Sequence, residues 1–544
     1  MPNAAGSRVG RHRRAVVALA VTGITGAALV AAVTQASPAV ARQGGFLLPG
    51  NLLVSESTYQ GHANTLTEGR TVLPPGCTTD CVVANNDGTY PGVWNNVVVD
   101  PSFGITSPIT IDQLTPSGRF VNALQVPDRV GGTDLVTSFS SKSELALNLS
   151  TDGRSVTFMG YVAPVNGIDV SNSNTPAVID PTDPVPGVFL RAVGRIDDQG
   201  RVQVTETNAY SGNNGRAAIL NDSHGRGVYY TAGNAGNGGN PQPAGVITGT
   251  GLQLVTPTNR PQREQRPGPT TPLAGFNVTQ LGDKADKVGK DTNFRGLTVF
   301  DNVLYTTKGS GSNGVNTVYF VDTTGTACPN GVGVPVPGAP LPTTPLDFDP
   351  ATVQANGLPD NMCVLAGFPT AEKSSTSFPF GIWFADPNTL YVADEGDGDT
   401  TFDPATGTYT AAAAQTTAGL QKWVRTNGTW HLADTLTNGL DLGTPYHVPG
   451  YPTGDNAVTG LPWAPATDGL RNITGRVNRD GTVTIFAVTS TVSGDGDQGA
   501  DPNKLVAITD RPTAASAAGE RFTAVRSAGF GQVLRGVSFT PGTR

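Results

Sequence analysis

Four arginines recur in similar local settings in a chain that uses charge sparingly. They are Arg216 in Asn213-Asn-Gly-Arg, Arg295 in Asn293-Phe-Arg-Gly, Arg471 in Gly469-Leu-Arg-Asn and Arg535 in Val533-Leu-Arg-Gly. Each stands at the head of a short run of β-forming residues. Guanidinium groups brought to one place bind carboxylate, phosphate or sulfate through paired N–H donors, so anion binding is the chemistry they suggest. Lys308, at the end of a related run, is a fifth cation of this kind. The competing reading is structural, with each arginine bonded to carbonyls of a neighbouring repeat or paired with an acid.

A second constellation is acidic. Asp394-Glu-Gly-Asp-Gly-Asp399, continuing to Asp403, alternates carboxylates with glycines, as oxygen-ligand calcium loops do. The spacing is not that of an EF-hand, and Asp495, Asp497 and Asp501 repeat it more loosely. Calcium on Asp394, Asp397, Asp399 and Asp403 is one reading, as a structural ion or a functional metal, and solvated charge is the other. For proton transfer, Tyr59 and His62 follow the apolar run Leu52-Leu-Val54 in a loop shared with Glu56, and form the candidate catalytic pair. His447, in Tyr446-His-Val-Pro-Gly-Tyr451, is a second candidate, whereas His224 falls in a hairpin turn and His431 in an outer strand. No Gly-x-Ser-x-Gly elbow, His-Glu-x-x-His zinc motif or phosphate-cradling glycine loop is present, which disfavours a serine hydrolase or nucleotide enzyme.

The elements that position these residues are short strands in hairpins. Five stretches pair an apolar strand with a second, β-branched or aromatic one across a turn. They are Leu145–Leu149 with Val156–Phe158, Ala217–Leu220 with Val228–Tyr230, Leu297–Phe300 with Val303–Tyr305, Ile382–Phe384 with Leu390–Val392, and Ile473–Gly475 with Val483–Phe486. Two further strand-like runs follow each hairpin, giving four strands per unit of about 65 to 90 residues, the dimensions of propeller blades with long loops. Val537-Ser-Phe539 and Leu52-Leu-Val54 are left over as an orphan first and second strand, and together they would close one blade from both termini. The expected fold is therefore an all-β propeller of about six four-stranded blades, with seven if a long loop hides another. A β-helix would need a much shorter repeat, and paired sandwiches would not share a hairpin-opening motif. In a propeller, loops entering first strands and leaving second strands meet at one end of the central channel. That rule places Tyr59, Tyr161, Asn234, Lys308 and both acidic runs beside the four arginines.

This repeat pattern resembles that of secreted bacterial propellers of the broad NHL, SMP-30 and YVTN-like kind over nearly all of the chain after residue 41. The resemblance implies a fold and carries no catalytic residue with it.

Composition agrees with many strands and turns. Of 544 residues, 14% are charged, while 69 Gly and 42 Pro make up about a fifth. A net charge of −8 lacks the basic footprint of a nucleic-acid binder. Residues 1–41 read as a signal peptide ahead of a single domain over 42–544: Arg8, Arg11, Arg13 and Arg14 precede an apolar run, and Ala39-Val40-Ala41 is a small-x-small cleavage site. Arg13-Arg14 lacks the bulky motif that usually follows a twin-arginine pair, which favours the general secretory route. The apolar run is also long enough to be kept as an anchor. Export permits disulfides, and local pairing of Cys77 with Cys81 and Cys328 with Cys363 would pin two loops, although four cysteines allow three connectivities.

Two functional classes follow. One is a monomeric extracellular platform that binds an anionic small molecule or polysaccharide at the channel mouth. The other is an enzyme in the same funnel, either a polysaccharide lyase that abstracts a proton beside a uronate carboxylate or a calcium-dependent phosphoester hydrolase.

Overall fold

The computed structural model describes residues 46–59, 104–126, 134–234, 251–258, 293–309, 315–343, 362–371 and 377–543, with short pieces at 70, 72–73, 78, 82–83 and 274–276. Within these spans, 177, 180, 182, 184, 223–226, 329–330, 458, 496–497, 515–516 and 518 lie outside the described set. The signal segment, Cys77 and Cys81, His62, His224 and Asp497 also fall outside it. Among the described residues, regular structure is almost wholly β. Helix is confined to Thr410–Ala414 and a 3-10 turn at Val170–Asn172, and no helix is long and apolar enough to cross a membrane.

The hairpins form where turn chemistry and alternating apolar residues coincide. Phe300 pairs with Val303 across Asp301 and Asn302, whose φ angles of 48° and 60° make a tight turn matched to strand twist. Asp and Asn tolerate that left-handed region better than β-branched residues do. Four separate sheets then repeat one antiparallel order over four strands, a ring of propeller blades, and the second adds a parallel edge strand, Val332–Gly333 beside Met362–Leu365. The first contains Gly215–Asn221, Val228–Gly233, Leu252–Val255 and Ala274–Phe276, and the second opens with Phe294–Phe300 and Val303–Lys308. The third is Pro379–Asp386, Thr389–Asp394, Gly419–Thr426 and Thr429–Leu436, and the fourth is Ala466–Val477, Val483–Val492, Lys504–Asp510 and Thr523–Ser527.

Apart from two small hairpins, Val72–Leu73 with Val82–Val83 and Phe402–Asp403 with Thr408–Tyr409, the remaining described strands join in one nine-stranded sheet. At one side Leu52–Thr58 lies between Gln532–Phe539 and Thr106–Leu114, with Leu52 opposite Phe539 and Val54 opposite Val537, so strands far apart in the sequence share a sheet. At the other side Asn148–Leu149, Ser155–Val162, Arg191–Asp197 and Val202–Thr207 pair in order. The short strand Leu135–Ser138 bridges the two halves. First strands lie innermost and touch in sequence: 148–149 against 215–221, then 294–300, 379–386, 466–477 and 532–539, which returns to 148–149.

Apolar side chains fill the wedges between sheets. Phe300 stacks on Phe384 with centroids 4.6 Å apart, and Phe368 stacks on Trp423 at 3.9 Å. Each fully buried side chain of this size contributes about 1.5–3 kcal/mol. Close approach between first strands and their neighbours excludes a side chain at several glycines; a Cβ on Gly296 would overlap the carbonyl oxygen of Phe380, and one on Gly536 that of Leu145. A disulfide joins Cys328 to Cys363.

Candidate functional site

The arginines sit on β-bulges. Ladder register slips between Gly215 and Ala217, between Phe294 and Leu297, and between Leu470 and Ile473. It slips again where Leu534 and Val537 face Glu56 and Val54. A bulge inserts an unpaired residue and re-aims its side chain. Here the residues inserted include Arg216, Arg295, Arg471 and Arg535, all in the N-terminal halves of the innermost strands. A fifth slip, between Pro379 and Ile382, holds Phe380 instead, and the guanidinium carbon of Arg295 lies 5.2 Å from that ring's centroid.

All four arginines are buried, and each has at least one polar partner outside its own sheet. Arg216 donates through Nε to Asn214 Oδ1 at 3.0 Å and through Nη1 to Phe294 O at 3.1 Å and to Asn293 Oδ1. Arg535 donates to Gly499 O at 2.9 Å and to Phe139 O. Arg295 and Arg471 converge on Glu395, at 3.1 Å from its two carboxylate oxygens. Arg295 also donates to Ser143 Oγ at 2.7 Å. Burial works to raise the Glu395 carboxyl, but the charges of Arg295, Arg471 and Lys142 outweigh it and hold it below the usual carboxylate range. Three cations thus act on one buried carboxylate. Lys308, also buried, donates to Asn316 Oδ1 at 3.2 Å.

The acidic loop crosses beside this cluster. Asp394 faces inward, accepting from Phe378 N at 2.8 Å and Gln421 Nε2 at 3.0 Å. Burial pushes its carboxyl up to about 7, against the backbone N–H groups of Phe378 and Gly396. Asp468 clasps the loop by accepting from Gly398 N at 2.9 Å and Gln415 Nε2 at 2.6 Å, and burial pushes it to about 7 as well. Asp397 and Asp399 are exposed, and each accepts from backbone N–H two residues ahead. Asp403 caps its own turn through Ala405 N and Thr406 Oγ1. Among the described residues, these four aspartates contribute to no group of three carboxylates with oxygens within 4.8 Å of one another. The group that meets that spacing, Asp322 with Cys328 and Cys363, has both sulfurs committed to the disulfide.

Of the proton-transfer candidates, Tyr59 is half-buried with its ring 5.3 Å from Phe139, and burial drives its phenol far above the usual value. His431 and His447 are exposed. Tyr161 bonds Glu144, and Asn234 Oδ1 accepts from Asn293 N at 3.3 Å. Asp501 accepts from Tyr451 OH at 2.9 Å and Ser493 Oγ at 3.0 Å.

Sequence reasoning did not single out Lys142, Ser143, Asp468 or the pairing role of Glu395. Only Glu395 carried any signal, as the one glutamate of the acidic run. At the other end of the innermost strands lies a cavity of about 250 Å³, lined by residues including Phe300, Trp383, Thr474 and Phe539 and by no ionisable side chain.

No protein-family model and no curated protein sequence matches this chain, so the NHL and SMP-30 resemblance stays one of repeat pattern. Among solved structures, the chain is similar to a putative 6-phosphogluconolactonase from Bacteroides fragilis, with 10% identity, 88% of this chain and 82% of that chain covered, and a TM-score of 0.33. It is also similar to the NanB sialidase from Streptococcus pneumoniae, with 9% identity, 91% and 68% covered, and a TM-score of 0.24. At these scores neither likeness bears on the chemistry of this chain.

Proposed function

We propose that the protein is a secreted, monomeric propeller of six blades that binds an anionic ligand, of the acidic-glycan class, at the arginine end of its channel. The closed cycle of contacts between innermost strands supports six blades, with the nine-stranded sheet counted as two. The signal-like N-terminus and the Cys328–Cys363 disulfide support export. The observation that carries the ligand class is the convergence of Arg295 and Arg471 on the single carboxylate of Glu395, on which the Lys142 charge also acts, with Arg216, Arg535 and Lys308 as further buried cations. Such a cluster attracts polyanions through its field, an effect that salt screens. Calcium is proposed for the loop carrying Asp394, Asp397, Asp399 and Asp403, where the exposed pair Asp397 and Asp399 would supply the accessible oxygens. Titration calorimetry with polygalacturonate, repeated at rising salt, tests the reading. Binding that is tight at low salt and falls steeply with added salt supports it, and absence of binding to uronate and sulfated polymers alike refutes it. Unsaturated-product absorbance in the same mixtures would move the assignment to the lyase alternative.

A further inference from the structure

Residues 139–144 run from the bridging strand Leu135–Ser138 toward the innermost strand Asn148–Leu149, and they do not stay with their own sheet. Phe139 O accepts from Arg535, on the strand that closes the ring. Ser141 Oγ accepts from Asn214 Nδ2 at 3.4 Å, at the start of the next sheet. Ser143 Oγ accepts from Arg295, one sheet further on. Lys142 Nζ donates to Gln498 Oε1 at 3.2 Å, and Gln498 Nε2 in turn donates to Gly398 O at 2.8 Å. The Lys142 charge also acts on Glu395 and Asp468. One short segment therefore bonds groups of three of the four separate sheets and of the ring-closing strand, on the side where the arginines gather.

Both ends of the segment are fixed. Phe139 is buried among Val448, Tyr451, Trp463 and Val533. The Glu144 carboxylate is fully buried and accepts from Thr137 Oγ1 at 2.7 Å, Ser138 N at 2.9 Å and the Tyr161 hydroxyl. Between these anchors Ser140 and Ser143 are buried, whereas Ser141 and Lys142 are half-exposed.

We infer that residues 139–144 are a fixed plug across the arginine end of the channel, and that Lys142 is the cation an anionic ligand meets there. The arginines lie beneath, bonded to the plug, to Glu395 and to neighbouring carbonyls, and set the potential. The role of Lys142 rests on the proposed anion binding, and the plug itself does not.

Two measurements on the full-length exported protein separate them. Ser143→Cys and Ser141→Cys are compared for maleimide labelling above the wild-type background. A fixed plug predicts that the Ser143 position labels at least tenfold more slowly than the Ser141 position, and equal rates overturn it. Polygalacturonate binding at low salt is then compared for Lys142→Gln and for Arg521→Gln, an exposed arginine on an outer segment. The first is expected to weaken binding at least tenfold and the second to leave it as in the wild type. Wild-type affinity in Lys142→Gln overturns the role of Lys142. A wild-type protein that binds no polyanion removes the anion reading and the role of Lys142 together, while the labelling ratio still decides the plug.

Discussion

Replacing Glu395 with glutamine tests the electrostatics of the ring most directly. The carboxylate is buried, and Arg295 and Arg471 each approach one of its oxygens at 3.1 Å. Removing it deletes both ion pairs and leaves two buried guanidinium groups, with the Lys142 charge also acting there, without the carboxylate that compensated them. Breaking a buried pair from one side costs about 3–5 kcal/mol, mainly through the uncompensated charge left behind. Glutamine keeps one acceptor oxygen, so the lower half of that range is expected. The assay is urea unfolding followed by tryptophan fluorescence, with the difference read from midpoints at a common slope. The pH dependence gives a second reading. The folded-state pKa of Glu395 is depressed, so its stabilisation is present above the usual value of 4.5 and lost as pH falls through the lower, folded value. The deficit of the variant should therefore be full at neutral pH and shrink in strong acid. Sulfate should restore part of the loss in the variant by binding the folded state. A variant within about 1 kcal/mol of the wild type at pH 7, the scale of an exposed ion pair, would refute the account of a buried cluster.

Other perturbations address other parts of the molecule. Truncation after Leu534 removes the residues paired with Leu52, Leu53 and Val54, and should lower the melting temperature severely; an unchanged melt would contradict the closure. Replacing Cys328 and Cys363 with serine opens a loop of 35 residues and should cost about 3–4 kcal/mol by chain entropy, measured by denaturant unfolding, with an unchanged midpoint counting against it. If calcium occupies the acidic loop, chelator should lower the melting temperature and added calcium restore it, whereas superimposable melts remove the metal. Asp468 has a raised folded-state pKa, about 7 against 3.8 unperturbed, so it binds more protons folded than unfolded and weakens the fold as pH climbs through that window. Asp468→Asn should then gain on the wild type between pH 4 and pH 8, and a constant difference would rule this out.

The hairpins were legible because their information is local. Asp301-Asn302 between Leu297–Phe300 and Val303–Tyr305 specifies both a turn and a register, and the observed pairing of Phe300 with Val303 follows. The closing pair was legible for a different reason: Leu52-Leu-Val54 and Val537-Ser-Phe539 each lacked a partner, and each supplies the other's. The equivalent setting of the arginines was visible too, but what they bond was not. Glu395 reads as one carboxylate in an acidic run, and nothing local ties it to Arg295 and Arg471, far away in sequence. The plug was hidden more completely. Phe139-Ser-Ser-Lys-Ser-Glu144 has the composition of a linker, and its role comes from what surrounds it in space.

The pairing of Leu52–Thr58 with Gln532–Phe539 has a consequence for the order in which this molecule can be made. Leu52–Thr58 must hold an open edge until Gln532–Phe539 has emerged, and closing so long a loop costs on the order of 5 kcal/mol in chain entropy before any contact repays it. Until then the growing ring has two unpaired edges, which are templates for other chains. Assembly is thus sealed only when Gln532–Phe539 is delivered, and a chain stopped before it would present those edges to proteases and to its neighbours. The seam also makes the ring indifferent to where its chain is cut. A permuted protein that joined the present ends and opened at the exposed Arg479-Asp-Gly481 turn would move this vulnerable step to another sheet without altering the finished ring.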